Sequence, residues 1–296
     1  MSEIKNILIC GLGAIGGYYA SVFYNHGYNI KILADKERLE RYTKTPRIIN
    51  GRTYNFDYLL PDDRFDADLI IIATKSNGLA SVISNIHNFV GEKTIILSFL
   101  NGITSEQKII EKYGDKVLYS FLLGHTFFRN GNEIIHDGQA DINFGSNKDE
   151  DERINLLKTL FDKTEIRYKV SDNIIKSQWL KFCFNCCVNQ LSAVTRKTFG
   201  EIKSSEECLY IIERICDEIS KVAKAEGITD TTDFYSSTLK SLDIMLPEGK
   251  TSMLQDVESG QKPETDIFGE TVCKLGEKHH ISTPYNRVLT DILKAI

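Results

Sequence analysis

The stretch Asn6–Gly17, NILICGLGAIGG, constrains this chain more than any other. Ile7, Leu8, Ile9 and Cys10 form a short apolar run, the pattern of a parallel strand covered on both faces. Gly11-Leu12-Gly13-Ala14-Ile15-Gly16 follows as G-x-G-x-x-G, and the sequence beyond it is helix-like. Each glycine has its own reason. Gly11 permits the tight turn, Gly13 lets a pyrophosphate approach the backbone, and Gly16 lets the helix pack close to the strand. The free N–H groups at the helix N-terminus then face the phosphates. The hexapeptide alone is weak; its place after a strand and before a helix points to a dinucleotide site, with Gly11, Leu12, Gly13, Ala14, Ile15 and Gly16 as cofactor-binding positions. An apolar strand, turn and helix with chance glycines is the other reading of the same letters.

A chain of 296 residues has room for two ordinary domains. Its formal charge of -5 gives no electrostatic footprint for nucleic acid. No apolar run approaches the ~20 residues needed to span a bilayer, so no membrane partner is expected. MSEIKN carries no signal-peptide pattern, and a cytoplasmic location is expected. Seven cysteines make an odd set without disulfide-framework spacing. Cys183 and Cys186 form C-x-x-C but lack a second pair or a nearby histidine. The cysteines therefore read as small apolar residues of a buried helix, and no metal is expected. That helix packs either within the chain or against a second subunit, which leaves a homodimer open.

Ala14–His26 reads as a helix ending at Gly27, and Asn29–Ala34 as the second strand. Asp35 stands at the end of that strand, where an acidic residue typically binds the adenosine ribose 2′-OH. Lys36 and Arg38 beside it blur the choice between NADH and NADPH, and a charged helix start is the alternative reading of Asp35. Lys36–Lys44 reads as helix, and Ile48–Leu60 as short edge strands or a hairpin around Asn50-Gly51. Ala67–Thr74 is a further buried strand, followed by Lys75; a helix over 79–90 and a strand over 93–98 deliver Asn101-Gly102. Ligands of open α/β sheets bind outside the carboxyl ends of the strands, which places Lys75 and Asn101 for cofactor or substrate. A solvated lysine and a plain turn asparagine are their alternatives. The spacing next predicts a helix over 104–113, a strand over 117–122, and a strand pair at the sheet edge from Asn132–His136 and Asp141–Phe144. A helix over 149–163 and a strand over 166–170 complete the pattern. His125 and His136 have no visible carboxylate partner and read as structural.

Strands alternating with helices imply a doubly wound, Rossmann-type sheet in an α/β fold. From Asn173 onward the sequence is helix-like throughout. We therefore expect a dinucleotide-binding domain over 1–170 and an all-helical, substrate-binding domain over 171–296.

The second informative stretch is Ile174–Val194. Phe182, Cys183, Phe184, Cys186, Cys187 and Val188 make its later half nearly all apolar. The exceptions, Lys181, Asn185 and Asn189, are spaced i, i+4, i+8 and share one helix face. A helix apolar all round is a buried helix, and unpartnered polar groups in it cost ~2–7 kcal/mol each. One ammonium and two carboxamides in a row therefore suggest a polar ligand site; a solvated stripe is the alternative. Asn suits a hydroxyl or carbonyl oxygen, and Lys181 can donate a proton. Further on, helices over 206–226 and 232–246 precede Ser252. Glu264 lies twelve residues beyond Ser252 and opens another helix, where it and Asp266 also fit plain acidic residues favoured by the helix dipole.

Along essentially its whole length the chain resembles the ketopantoate reductase (2-dehydropantoate 2-reductase) family. The matching pieces are GLGAIGG, Lys75 after ADLIIIAT, FLNGI around Asn101, GNEIIHDG, WLKFCFNCCVNQLSA, SMLQDVESGQKPETDIFGE and HHISTPYN. Two share the family's spacing: Lys-x3-Asn-x3-Asn, and Ser followed at +12 by Glu. The resemblance implies a cytosolic oxidoreductase that reduces 2-dehydropantoate to (R)-pantoate with NADPH, toward pantothenate and coenzyme A. By position, Lys181 resembles the family's general acid, Asn185 and Asn189 its substrate-hydroxyl ligands, and Ser252 its carboxylate ligand. Glu264 resembles the acid that contacts cofactor and substrate beside the lysine. Lys75 and Asn101 match cofactor-contacting positions, Asn101 lying near the substrate as well. The chain departs from the pattern in two places. Asp35 stands where many members carry an Arg for the 2′-phosphate, which favours NADH. Phe199 stands where some carry a polar residue before a Gly-Glu pair, which keeps other 2-oxo acids open as substrates. A non-catalytic dinucleotide-binding sensor is the remaining reading, and the intact Lys181, Asn185, Asn189, Ser252, Glu264 set argues against it.

Overall fold

Alternate residues of the central strands face two separate cores, which is why those strands read as unbroken apolar runs. In the computed structural model, which describes residues 3–124, 127–138, 141–148 and 150–296, strand β1 (Asn6–Cys10) sends Ile7 and Ile9 to one core and Leu8 and Cys10 to the other. None of the four is exposed to solvent, and each aliphatic side chain so buried contributes ~1.5–3 kcal/mol. The chain divides into two compact units, Met1–Ile175 and Lys176–Ile296.

In the first unit, β1 is followed by α1 (Ala14–Asn25), β2 (Asn29–Leu33), α2 (Lys36–Lys44), β3 (Arg47–Ile49), β4 (Arg52–Tyr54), β5 (Asp57–Leu59) and β6 (Ala67–Ile72). Then come α3 (Leu79–Asn85), β7 (Val90–Ser98), α4 (Ser105–Tyr113), β8 (Val117–Leu123), β9 (Phe127–Asn130), β10 (Glu133–His136), β11 (Asp141–Gly145), α5 (Glu152–Lys163) and β12 (Tyr168–Val170). The main sheet has eight strands in the order β12-β11-β8-β7-β6-β1-β2-β5. From β5 to β8 all neighbours run parallel. β11 then lies antiparallel to β8 and carries β12 parallel to itself. This is the doubly wound sheet expected.

The hairpin expected around Asn50-Gly51 forms as β3 and β4, but its place in a second sheet, β4-β3-β10-β9, was not expected. The two strands read as an edge pair do not pair with each other: β10 pairs with β9 and β3, whereas β11 joins the main sheet. Both strands feed one core cluster, but at different places in it: Ile134 of β10 packs on α1 at Gly17, and Phe144 of β11 packs on Phe161 of α5. A Cβ on Gly17 would sit 2.5 Å from Ile134 Cδ1, so the last glycine of GLGAIGG serves this second sheet. The missed strand β9 had a signal in Asn130-Gly131, a hairpin dipeptide between FFR and EII; Gly131 has φ +58° in that turn. His136 sits on β10 with its ring 4.4 Å from that of Tyr18, a packing role. His125 lies outside the described residues.

The second unit is helical throughout its described residues. It runs through α6 (Ile174–Phe184), whose first two residues belong to the first unit, a π-helical segment (Asn185–Asn189) and α7 (Gln190–Thr195). α8 (Phe199–Lys203), α9 (Glu206–Ala225), α10 (Phe234–Asp243), α11 (Ser252–Glu258), α12 (Gly269–Lys278) and α13 (Pro284–Ala295) follow. α9 buries Cys208, Ile212, Ile215, Cys216, Ile219 and Val222, one face of an amphipathic helix. Its buried Glu218 accepts hydrogen bonds from the Tyr285 and Asn286 amides at 2.8 and 3.1 Å and so caps α13. Cys183, Cys186 and Cys187 are fully buried within the chain. Glu264 does not open an α-helix as expected. It precedes a single 3-10 turn, Thr265–Ile267, and α12 begins only at Gly269.

Candidate active site

The glycine turn can be judged by what a Cβ would meet. Gly11 has φ +107°, and a Cβ there would lie 2.7 Å from the Ala73 carbonyl oxygen. A Cβ on Gly16 would lie 1.8 Å from the Gly11 carbonyl oxygen. Both glycines are required by the protein itself. Gly13 is different: its φ is -80°, and a Cβ would meet nothing within 4 Å. The fold gives no steric reason for glycine there, and the open space is what a phosphate approaching the backbone requires. Gly13 caps α1 without a side-chain hydrogen bond, leaving the first helical amides to a ligand. At the end of β6, the Thr74 hydroxyl is buried without a hydrogen-bond partner. These features fit a dinucleotide pyrophosphate.

The neighbouring strand ends carry the other predicted residues of this unit. β7, β6, β1 and β2 are consecutive in the sheet. The Ala73 amide donates to the Cys10 carbonyl at 2.8 Å and the Phe99 amide to the Ile72 carbonyl at 2.8 Å, keeping the strand ends level. Asn101, Lys75, the glycine turn and Asp35 therefore stand at the carboxyl ends of four adjacent parallel strands. Lys75 is exposed and leads into a short 3-10 turn, Ser76–Gly78. Asn101 is half-buried beside Gly102. Asp35 also caps α2, since its Oδ1 accepts from the Arg38 amide at 2.7 Å, and its Oδ2 lies 3.3 Å from the Arg38 guanidinium. Arg47 was not anticipated. It is buried, and its Nε donates to the Leu12 carbonyl at 3.1 Å while a terminal nitrogen donates to the Gly131 carbonyl at 3.3 Å, tying the glycine turn to the second sheet. Nothing local in the sequence marks that link.

In the second unit the helix carrying Lys181 does not continue as a plain α-helix. Four residues of α-helix turn through about 400°, so a straight i, i+4, i+8 row drifts by ~40° at each step. The π turn winds less per residue, so the step from Asn185 to Asn189 falls short of a full turn and returns the row toward the line of Lys181. The Asn189 Nδ2 donates to the Asn185 Oδ1 at 3.4 Å. Lys181 and Asn185 are half-buried, and Asn189 is buried. α11 packs against α7 and the π segment, with Ser252 exposed as its first residue and the Thr251 hydroxyl capping it by accepting from the Leu254 amide at 3.1 Å. Glu264 is half-buried on the segment before α12, and Phe268 at the end of that segment stacks on Phe182 of α6 at 6.4 Å. Phe199 opens α8 behind a Thr198–Glu201 capping box, and its amide donates to the Gly249 carbonyl at 3.1 Å, two residues before Thr251. The arrangement presents an ammonium and two carboxamides in a row, next to a helix that begins with a serine.

Residues 7–149 match the family described as "Ketopantoate reductase PanE/ApbA", and residues 173–296 match "Ketopantoate reductase PanE/ApbA C terminal". The chain belongs to the ketopantoate reductase family. This is a family of oxidoreductases. Among its curated relatives, a 2-dehydropantoate 2-reductase of Aquifex aeolicus (strain VF5) is 27% identical over 305 residues, covering 99% of this chain and 97% of the relative. An uncharacterized oxidoreductase of Bacillus subtilis (strain 168), YkpB, is 25% identical over 284 residues, 94% of each chain. Among solved structures, the ternary complex of D-mandelate dehydrogenase with NADH and anilino(oxo)acetate superposes with a TM-score of 0.83 at 24% identity, over 98% of both chains. That likeness is one of fold: this ketopantoate reductase family member shares its architecture with a D-mandelate dehydrogenase. No helix among the described residues is long and apolar enough to cross a membrane.

Proposed function

We propose that the chain is a nicotinamide-dependent 2-oxo-acid reductase whose substrate is 2-dehydropantoate, reduced to (R)-pantoate. The observation that carries this reading is the row of Lys181, Asn185 and Asn189, kept on one face by the π turn. The first unit binds the dinucleotide through the glycine turn, with Lys75 and Asn101 at the adjoining strand ends. When bound, the nicotinamide supplies the hydride. Lys181 donates the proton to the keto oxygen, help worth ~10²–10⁴-fold. Asn185 and Asn189 hold the substrate hydroxyl, each offering a donor and an acceptor. Ser252 donates to the carboxylate, and Glu264 orients the ammonium and the bound substrate. Such positioning spares the reaction the entropy of bringing the groups together.

For the cofactor we propose NADH over NADPH, despite the NADPH implied by the family. A carboxylate at the end of β2 accepts from ribose hydroxyls and repels a 2′-phosphate. Arg38, one of the two cations beside it, is already paired with that carboxylate. A second substrate reading, another 2-oxo acid, is favoured by Phe199. Its apolar ring lies against Gly249, where a Cβ would come within 3.0 Å of it, close in sequence to Ser252.

The test follows nicotinamide absorbance in purified protein with 2-dehydropantoate and a panel of 2-oxo acids, with NADH and NADPH in parallel. Fastest oxidation of NADH with 2-dehydropantoate is the expected result. Faster turnover of an aryl or branched 2-oxo acid would transfer the assignment to that substrate, and binding without turnover of any would remove the reductase reading.

A further inference from the structure

Three of the seven cysteines, two of them four residues apart and the third 29 residues further on, converge in the second unit. Cys183 lies on α6, Cys187 on the π segment and Cys216 on α9. Their sulfurs form a triangle with sides of 3.4 Å (Cys187–Cys216), 3.6 Å (Cys183–Cys216) and 3.9 Å (Cys183–Cys187). The Thr238 hydroxyl of α10, itself buried, lies 3.6 Å from the Cys216 sulfur and 3.8 Å from the Cys183 sulfur. Five edges of an S3O cluster thus fall between 3.4 and 3.9 Å. A tetrahedral ion at the usual Zn–S distance of about 2.3 Å sets its sulfur ligands about 3.8 Å apart. The three sulfurs are therefore spaced for such an ion, with the Thr238 oxygen at a like distance from two of them.

The donor set narrows the ion. It holds three sulfurs and an oxygen, and among the described residues no histidine or carboxylate joins them. Soft thiolate ligands select Zn(II) and Cu(I) over hard cations. The near-tetrahedral edges, and an oxygen on the fourth side, suit Zn(II) better than planar three-coordination. The C-x-x-C spacing does not mark the cluster: Cys186 stands outside it, and the partner comes from α9, 29 residues beyond Cys187.

We propose that Cys183, Cys187 and Cys216 form a buried site for a single Zn(II)-class thiophilic ion, with Thr238 on its fourth side, that braces α6, α9 and α10. Binding exchanges thiol protons for metal–sulfur bonds, with no change of oxidation state. The π turn fits this role as well as the substrate row, because it sets Cys187 opposite Cys216 while Asn185 and Asn189 stay paired.

The experiment uses the full chain, reduced and stripped with a chelator, then titrated with Co(II) and afterwards Zn(II). One Co(II) per chain, with thiolate-to-cobalt charge-transfer and tetrahedral d–d absorption bleached by one equivalent of Zn(II), is the expected result. Cys216→Ser should lose the charge-transfer band, and Cys208→Ser, a buried cysteine on the same helix outside the cluster, should keep it. If Cys216→Ser fails to fold, slow alkylation of the wild type decides: Zn(II) should protect Cys183, Cys187 and Cys216 and leave Cys10 and Cys273 unchanged. A wild type without the charge-transfer band, or equal alkylation with and without Zn(II), would mean thiols in plain van der Waals contact and overturn the site.

Discussion

The Asn189 carboxamide donates to that of Asn185 at 3.4 Å across a π turn in a helix that is otherwise α-helical. The slower winding of this turn offsets the drift of the preceding α-helical step and returns Asn189 toward the line of Lys181. Single-turn π insertions of this kind occur frequently at functional sites. Lys181 lies one α-helical turn before Asn185, so the three polar groups follow one line along an apolar helix.

Lys181→Ala is expected to lower kcat by ~10²–10⁴-fold, the scale of general acid catalysis. Dinucleotide affinity should stay within about threefold, since the lysine belongs to the second unit. Steady-state kinetics and a fluorescence titration of the cofactor check both. A kcat within about tenfold of wild type would remove the lysine from the proton step.

Gly13→Ala and Gly16→Ala should part company. A Cβ at position 13 meets no protein atom within 4 Å, so the variant should fold like wild type yet bind the dinucleotide at least about tenfold more weakly, the phosphate losing its approach. At position 16 a Cβ would overlap the Gly11 carbonyl, so that variant should lose thermal stability as well. Melting curves beside cofactor titrations distinguish the two.

Asp35→Asn keeps an N-cap on α2, because Asn caps as well as Asp. It removes the charge that repels a 2′-phosphate. The ratio of kcat/KM with NADH to that with NADPH should fall about tenfold or more, one charge-assisted hydrogen bond being worth ~1.5–3 kcal/mol. An unchanged ratio with an unchanged melting temperature would leave Asp35 as a cap alone.

Asp151 links stability to pH. Burial by itself would raise its carboxyl, but hydrogen bonds from Arg153 and Ser146 outweigh that and hold it at about 2. An unfolded aspartate titrates near ~3.9, so the stabilisation is complete above that pH and is lost as pH falls toward 2. Asp151→Asn should cost ~1–2 kcal/mol at pH 7, with a shrinking difference below pH ~4. Urea unfolding at pH 7 and pH 3 measures it. Equal differences at both would place the effect in packing.

The glycine turn, the parallel strands around it, the change to helix near residue 173 and the Lys181, Asn185, Asn189 row were legible because each is local. A period of two or 3.6, a steric need for glycine, or a polar break in an apolar helix is written within a few turns of chain. Strand partners are not written that way. Ile134 and Ile142 look alike in sequence, yet the strand of one joins the second sheet and the strand of the other joins the main sheet. Arg47 reaches the glycine turn from 35 residues away. The π turn has no local signature either. The cysteines make the same point most plainly. Their burial followed from an apolar helix, but that Cys216 meets Cys183 and Cys187, while Cys186 one residue away does not, was decided only when α9 crossed the π segment. Pairings between distant segments depend on which of many similar apolar surfaces come together, and that choice belongs to the whole fold.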